Sequence, residues 1–168
     1  IGKHLVLLDT PGLHSVTPVN GELTRRFIDS ADAVLWLTPS TSPGQVQELN
    51  DLKAELEKKK PLLPIITRSD SLVDWCEKTD KPISVFVNKT IENRALQQDC
   101  VTARLMEFKI GGSVGLKSAK QPLSISILAF EHDLKSGGSP DVAFEQAGLS
   151  HLFAQLTALI TEAAAYKS

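Results

Sequence analysis

The sequence has little of what marks several classes of protein. Its two cysteines, Cys76 and Cys100, form no metal-spaced pair, and we interpret them as ordinary thiols in a reducing compartment. It has no apolar run of about 18 residues that could span a bilayer, and no signal peptide opens it. The net charge of −2 gives no sign of a large basic surface, so we expect no nucleic-acid partner and a cytoplasmic location.

What the sequence does have is apolar residues, 42% of 168, which is enough for the core of one domain. Short apolar runs bounded by Pro, Gly, Asp or Ser predict strands at residues 5–8, 33–37, 62–66 and 123–128. Apolar residues at helical spacing predict helices near 20–28, from 42 to about 59, over 92–108 and from 149 to about 163. The segments 70–81, 110–122 and 131–142 are predicted to be irregular loops.

Strands that alternate with helices predict an α/β fold with a doubly wound, mostly parallel sheet. In such sheets, ligands bind at the carboxyl ends of the strands. The polar residues that follow the apolar runs are therefore the candidates for a functional site.

The first candidate motif follows the run at 5–8 and reads Asp-Thr-Pro-Gly. A carboxylate at Asp9 is suited to hold Mg²⁺ through water, because this ion prefers oxygen ligands and keeps part of its hydration. Gly12 lets its amide approach a γ-phosphate oxygen without obstruction by a side chain. We assign Thr10, between them, to the same nucleotide site, although a plain turn after a strand would have the same sequence.

The residue after this motif is Leu13, where a Gln could orient an attacking water. If the protein hydrolyses a nucleotide, a cation or a partner subunit must position that water. His14 is close by, but a lone histidine in a loop is more often only solvated. The catalytic residues are therefore not predicted.

The second candidate motif, Thr-Arg-Ser-Asp, follows the run at 62–66. The Asp70 carboxylate can accept two hydrogen bonds, from the guanine N1–H and 2-amino groups, and adenine lacks this pair of donors. Thr67 can brace the loop, and the Arg68 stem can cover the base. After the next strand, the backbone amide of Ala129 is the candidate donor to the guanine oxygen.

Three further segments resemble nucleotide motifs without meeting their requirements. Residues 87–90, Val-Asn-Lys-Thr, have Ile91 where a guanine-reading acid is needed. Residues 111–118 are one residue from a P-loop, but Leu116 replaces the second glycine and no helix follows. Residues 118–120, Ser-Ala-Lys, precede a strand, whereas a base contact is expected after one.

These motifs together resemble those of a known family. Leu-Leu-Asp-Thr-Pro-Gly-Leu, then Thr-Arg-Ser-Asp, then Asn-Lys-Thr-Ile-Glu-Asn-Arg-Ala at 88–95 resemble the GTPase domain of bacterial dynamin-like proteins, in particular the labile-enterotoxin-output type. The run from Asp9 to His14 also resembles Era-type ribosome-associated GTPases. Both families place a hydrophobic residue at the position of Leu13, whereas Arg68 departs from the usual Lys of both.

The resemblance implies a GTPase that takes GTP and Mg²⁺ as cofactors. It also implies self-association, hydrolysis stimulated across a dimer, and membrane remodelling. Membrane contact in such proteins lies in a helical stalk or tip, so it would come from regions outside this chain, and the longer protein would be a peripheral membrane protein at most.

The sequence contains no credible P-loop, and we expect one upstream of Ile1. On this interpretation residues 1–168 are the C-terminal part of one GTPase domain, without its P-loop strand, first helix and second strand. Alone, the chain is then expected to bind GTP negligibly. We also expect strand 5–8 to move beside strand 33–37, or two copies to pair, because an open apolar strand edge invites pairing.

Two other interpretations of the motifs stay open. A degenerate, non-hydrolysing GTPase-like interaction module would keep the same fold. A response-regulator-like domain would use Asp9 as phosphoacceptor, but Leu7 and Leu8 stand where an acidic pair is expected.

Overall fold

The computed structural model describes residues 6–9, 22, 26–27, 30–43, 60–76, 82–107, 109–110, 113–114 and 119–167. The strands with described bounds are β1 (Val34–Pro39), β2 (Leu62–Thr67), β3 (Asp70–Cys76), β4 (Pro82–Asn88), β5 (Lys109–Ile110), β6 (Ser113–Val114) and β7 (Leu123–Ser124). The helices with described bounds are α1 (Ile91–Glu107), α2 (Ile127–Lys135), α3 (Pro140–Gln146) and α4 (Leu149–Lys167).

The centre of the structure is a parallel three-stranded sheet in the order β1-β2-β7. Each residue of β2 has a partner in β1, from Val34↔Leu62 to Pro39↔Thr67, and β7 pairs with the end of β2 at Ile65 and Ile66. The first five residues of β2 are buried because the strand has a neighbour on each side and packing on each face. The sheet predicted from the apolar runs is thereby confirmed as parallel.

The main core lies on one face of this sheet. Leu63 and Ile65 of β2 pack there with Leu156 and Leu159 of α4, and the phenylalanines of α2 and α3 lie at its border. Alternation along the strand places Leu62 and Ile66 on the opposite face, and α1 also packs against β2. This mixed α/β arrangement is consistent with a P-loop-like fold; the missing strands stay a prediction.

Several predicted elements are confirmed with small shifts of their ends. The strands predicted at 33–37 and 62–66 are β1 and β2, and the helices predicted over 92–108 and from 149 are α1 and α4. Residues 22, 26, 27 and 30 are helical, as predicted for the segment near 20–28. The helix predicted from 42 to about 59 lies outside the described residues beyond residue 43.

The strand predicted at 5–8 is wrong for the residues that the structure describes. Residues 6–9 have no regular secondary structure, and the side chains of Val6, Leu7 and Leu8 are 76%, 63% and 53% exposed. A short apolar run becomes a strand only when another strand satisfies its backbone groups. The described residues of this segment therefore do not lie beside β1 as a strand, contrary to the first of our two expectations. The second, that two copies of the chain pair, stays a prediction.

The prediction of a strand at 123–128 is correct for its first two residues and wrong for the rest, because β7 ends at Ser124. Ser126 has an extended backbone and its hydroxyl accepts the amide N–H of Ala129, which makes Ser126 the N-cap of α2. A helix that starts at Ile127 cannot continue the strand. The apolar run therefore crosses a strand end, a cap and the first turn of a helix.

Two of the predicted irregular segments are largely regular. Residues 70–76 and 82–88 form an antiparallel hairpin, β3 and β4, in which Asp70 lies opposite Asn88. Residues 131–142 contain the end of α2 and the start of α3, where Pro140 occupies the first turn. In the third segment, Ser113 and Val114 form a strand, and residues 119–122, where the helix after a P-loop would continue, are not helical. None of the helices in the described part of the chain has the length and apolar character of a bilayer-spanning segment.

Candidate functional site

The carboxyl ends of β1 and β2 and the segments after β7 and β4 meet at one edge of the structure. The amide of Ser40, after β1, donates to the Thr67 carbonyl at 2.8 Å. The amide of Ser69 donates to the Ile125 carbonyl at 3.0 Å, and the amide of Lys89 donates to the Ser69 carbonyl at 3.0 Å. These backbone bonds hold the Thr-Arg-Ser-Asp loop in place from three sides.

The loop itself is tightly shaped. Arg68 has a φ of 54°, in the left-handed region that few non-glycine residues adopt. Its carbonyl accepts a short hydrogen bond from the Ser40 hydroxyl. Ser69, the next residue, is completely buried. This fixed backbone sets the position from which the Asp70 side chain leaves the loop.

The Asp70 carboxylate has a specific neighbour that the sequence analysis missed. The hydroxyl of Ser126 donates to Asp70 Oδ2 at 2.7 Å, and Ser126 itself is fully buried. Asp70 is half-buried, so its carboxylate borders solvent while one oxygen is held. The signal in the sequence was a serine just beyond a short apolar strand, where ligands of parallel sheets collect.

Ala129, whose amide we predicted as the donor to the guanine oxygen, already has a hydrogen-bond partner in the structure. It is fully buried in the first turn of α2, and its amide N–H donates to Ser126 Oγ at 3.1 Å. This donor is already engaged and does not suit the role of contacting a guanine oxygen. The amides of Ile127 and Leu128, which open α2, have no acceptor within the helix, and they lie at the same end.

A segment that the sequence analysis set aside also belongs to this edge. Lys89 Nζ donates to Ser40 Oγ at 2.9 Å, which brings the ammonium beside the Arg68 carbonyl. Thr90 accepts the Asn93 amide at 3.2 Å, so it caps α1. The Val-Asn-Lys-Thr segment is a poor guanine motif by sequence, but the hairpin carries it next to Asp70.

Arg94 lies beneath the loop and joins it to two other segments. Its Nη2 donates to the Asn88 side-chain oxygen at 2.6 Å and to the Ser69 carbonyl at 3.3 Å, and its Nη1 donates to the Gln146 carbonyl at 2.8 Å. Burial lowers the pKa of Arg94, and the nearby Asp70 carboxylate opposes that change. A guanidinium stays charged at neutral pH in spite of such a shift.

The residues predicted for the phosphate end are not brought to this edge by any described contact. Asp9 is exposed in the segment 6–9, and Thr10 and Gly12 lie outside the described residues. In the described part of the chain, no three His, Cys, Asp or Glu side chains are grouped to hold a metal ion. Asp9 therefore stays a predicted Mg²⁺ ligand on the strength of its sequence motif.

A cavity of about 380 Å³, lined in part by Arg94, lies between α1, β7 and the start of α4. Gln98, Ser124, Glu145 and His151 are among the residues that line it. Asp70 and Ser126 do not, so this cavity is separate from the edge where the predicted base-reading residues meet.

Comparison with known proteins points in the same direction as the motifs. Residues 1–69 match the family model of the dynamin family. An uncharacterized protein of Acinetobacter baylyi is 48% identical over 168 residues, which cover 99% of this chain and 32% of that protein. The chain thus spans about a third of the length of the curated relative it matches. No solved structure matches the chain. The family match on residues 1–69 supports a dynamin-like GTPase domain.

Proposed function

We propose that the chain supplies the base-reading part of a dynamin-like protein that binds and hydrolyses GTP. The observation that carries the proposal is the hydrogen bond from Ser126 to Asp70 at 2.7 Å, formed at the end of the sheet where α/β folds bind ligands. It joins two segments that are 56 residues apart in sequence. A carboxylate held in this way is a preformed acceptor.

Guanine fits this acceptor better than adenine does. The Asp70 carboxylate can accept from N1–H and from the 2-amino group, whereas adenine offers no such pair and would leave the carboxylate unmatched. The backbone of Arg68 and the ammonium of Lys89 lie at the same edge, and the stems of the two side chains can cover the faces of the base. The amides of Ile127 and Leu128, instead of the Ala129 amide that we predicted, are the donors to the guanine oxygen.

The phosphate end and the cellular role rest on the sequence and on the resemblance. Asp9 would hold Mg²⁺ through water, and Thr10 and Gly12 would face the γ-phosphate. Self-association, membrane remodelling through other regions and a cytoplasmic or peripheral location complete the proposal. An Era-type GTPase would use the same residues, and the departure of Arg68 from the usual Lys applies to both families.

The proposal is tested by calorimetric titration of a protein that contains this chain together with the P-loop expected from the motifs, called the longer protein below. It is titrated with GTP and with ATP, with and without Mg²⁺. We expect GTP to bind at least 100-fold more tightly than ATP, because a buried acceptor left unpaired costs about 1–3 kcal/mol and adenine mismatches several groups. Equal affinity for the two nucleotides, or no binding of either, would show that Asp70 reads no base.

A non-hydrolysing GTPase-like module is the second candidate; Leu13 fits either function, because its side chain cannot orient water but the GTPase families that the motifs resemble also have a hydrophobic residue there. Phosphate release distinguishes the two. A protein that binds GTP selectively and releases no phosphate, at concentrations high enough for self-association, would be such a module.

Ser126→Ala is expected to weaken GTP binding by the longer protein roughly tenfold, because the Asp70 carboxylate loses the donor that holds it. The cap of α2 is lost as well, which we expect to lower stability by about 1 kcal/mol. Ser136→Ala is the matched control, since Ser136 ends the same helix and lies away from Asp70. If Ser126→Ala binds GTP as tightly as Ser136→Ala, the serine does not serve the site.

A further inference from the structure

Arg94 is placed to control the geometry of the base-reading loop. The Ser69 carbonyl, which accepts from Arg94 Nη2 at 3.3 Å, belongs to the peptide unit that leads directly into Asp70. The same Nη2 holds the Asn88 side chain at 2.6 Å, at the position directly opposite Asp70 in the hairpin. One nitrogen thus bonds to the backbone that leads into Asp70 and to the side chain of the residue opposite Asp70.

The other end of this side chain is anchored independently. Arg94 Nη1 donates to the Gln146 carbonyl at 2.8 Å, at the end of α3. The guanidinium is planar and rigid, so a bond at one nitrogen fixes the direction of the others. The Arg94 backbone belongs to α1, which packs against β2 and β7. The guanidinium of Arg94 therefore connects the loop at Ser69 to both α1 and α3.

Charge adds to this geometry. The guanidinium is half-buried and interacts electrostatically with Asp70. The attraction between the cation and this carboxylate adds to the hydrogen bonds through which Arg94 holds the loop. Removing this cation would therefore remove a hydrogen bond to the loop and an electrostatic attraction to Asp70 together.

We propose that Arg94 is a positioning residue for guanine selectivity, which acts through the Ser69 carbonyl and Asn88 to set where Asp70 meets the base. The inference rests on the proposed function. No sequence pattern indicated this role, because Arg94 lies within the helix α1, after the Asn-Lys segment. It makes no contact with the nucleotide itself.

A purely structural role predicts a different outcome, because a general loosening of the loop weakens every nucleotide alike. The informative quantity is the ratio of affinities for GTP and ITP. The two differ only in the 2-amino group of the base, so their ratio reports whether Asp70 presents its second acceptor correctly.

The experiment measures Kd for GTP, ITP and ATP in the longer protein and in its Arg94→Gln, Arg94→Lys and Gln97→Ala variants. Gln97→Ala is the matched control, because Gln97 also lies on α1 and holds the Ser40 carbonyl at 3.0 Å but does not touch Ser69. We expect Arg94→Gln to lower the GTP/ITP ratio roughly fivefold to tenfold, as for a weakened hydrogen bond to a charged group. Gln97→Ala should leave the ratio unchanged.

Arg94→Lys covers the case in which Arg94→Gln does not fold, since it keeps the cation. A single ammonium cannot hold the Ser69, Asn88 and Gln146 acceptors together, so this variant should also lower the ratio, by roughly threefold. A ratio within twofold of the unsubstituted protein in a folded Arg94 variant overturns the inference. An unsubstituted protein that does not distinguish GTP from ATP would instead overturn the proposed function.

Discussion

Asp70→Asn in the longer protein is expected to exchange a preference for GTP for a preference for XTP. An asparagine amide presents one acceptor and one donor, where the aspartate presents two acceptors. Xanthine has a carbonyl in place of the 2-amino group of guanine, so the donor of the new amide finds an acceptor there. With GTP, the amide N–H₂ faces the 2-amino group instead and the pairing fails.

The expected magnitude follows from the hydrogen bonds at stake. One bond to a charged group is lost and one donor is left facing another donor, each at a cost of about 1–3 kcal/mol. We therefore expect GTP affinity to fall roughly 100-fold and XTP affinity to rise by a similar factor. Competition of GTP and XTP for a fluorescent nucleotide measures both changes in one assay.

Asp74→Asn is the matched control for this substitution. Asp74 lies on the same strand β3, is exposed, and accepts a hydrogen bond from Ser84 at 2.9 Å. The chemical change is identical, but Asp74 is remote from Ser126 and the base-reading loop. If both variants retain their preference for GTP, the assignment of Asp70 as the base-reading carboxylate is wrong.

Gly148→Ala is expected to cause a large loss of stability. Gly148 has a φ of 79°, and a Cβ placed there would overlap the Ser124 carbonyl oxygen. The obstacle is the backbone of β7, which cannot rotate away as a flexible side chain could. The left-handed backbone costs about 1–2 kcal/mol for any side chain, and the overlap adds about 1–3 kcal/mol.

Gly137→Ala separates these two costs. Gly137 has nearly the same backbone angle, a φ of 81°, but a Cβ there would meet nothing within 4 Å. We expect it to lower the free energy of unfolding by about 1 kcal/mol, and Gly148→Ala by about 3 kcal/mol or more. Thermal unfolding of both variants measures the difference, at roughly 2–4 °C per kcal/mol for a chain of this size. Equal losses would mean that the turn at Gly148 moves aside freely.

The sequence predicted the framework of the site well where apolar residues run without interruption. The strand β2 begins with five buried residues in a row. Thr67 ends it, and Arg68 and Asp70 follow at the same edge of the sheet. Hydrophobic periodicity also predicted α1 and α4, because one face of each helix packs on the sheet or its core. These elements are set by local pattern.

The parts that were missed depend on contacts distant in sequence. The run 123–128 is apolar throughout except for two serines, so composition cannot show that Ser126 ends the strand and caps a helix. The hairpin β3–β4 interleaves Ser71 and Asp74 with Leu72 and Val73, which weakened its strand pattern. Arg94 is one of many charged residues on a helix, and only the fold brings its guanidinium to Ser69 and Asn88.

Ser126 both caps α2 and holds the Asp70 carboxylate, so the opening of the first turn of α2 is coupled to the release of Asp70. Its oxygen accepts the Ala129 amide while its hydrogen goes to Asp70, so the two bonds require the same rotamer. Rotation of this side chain would break both at once, and fraying of the first turn of α2 would release Asp70. By the reciprocity of linked equilibria, a base that fixes Asp70 also lowers the population of the opened turn. Exchange of the Ala129 amide proton with solvent should accordingly slow when the base is bound.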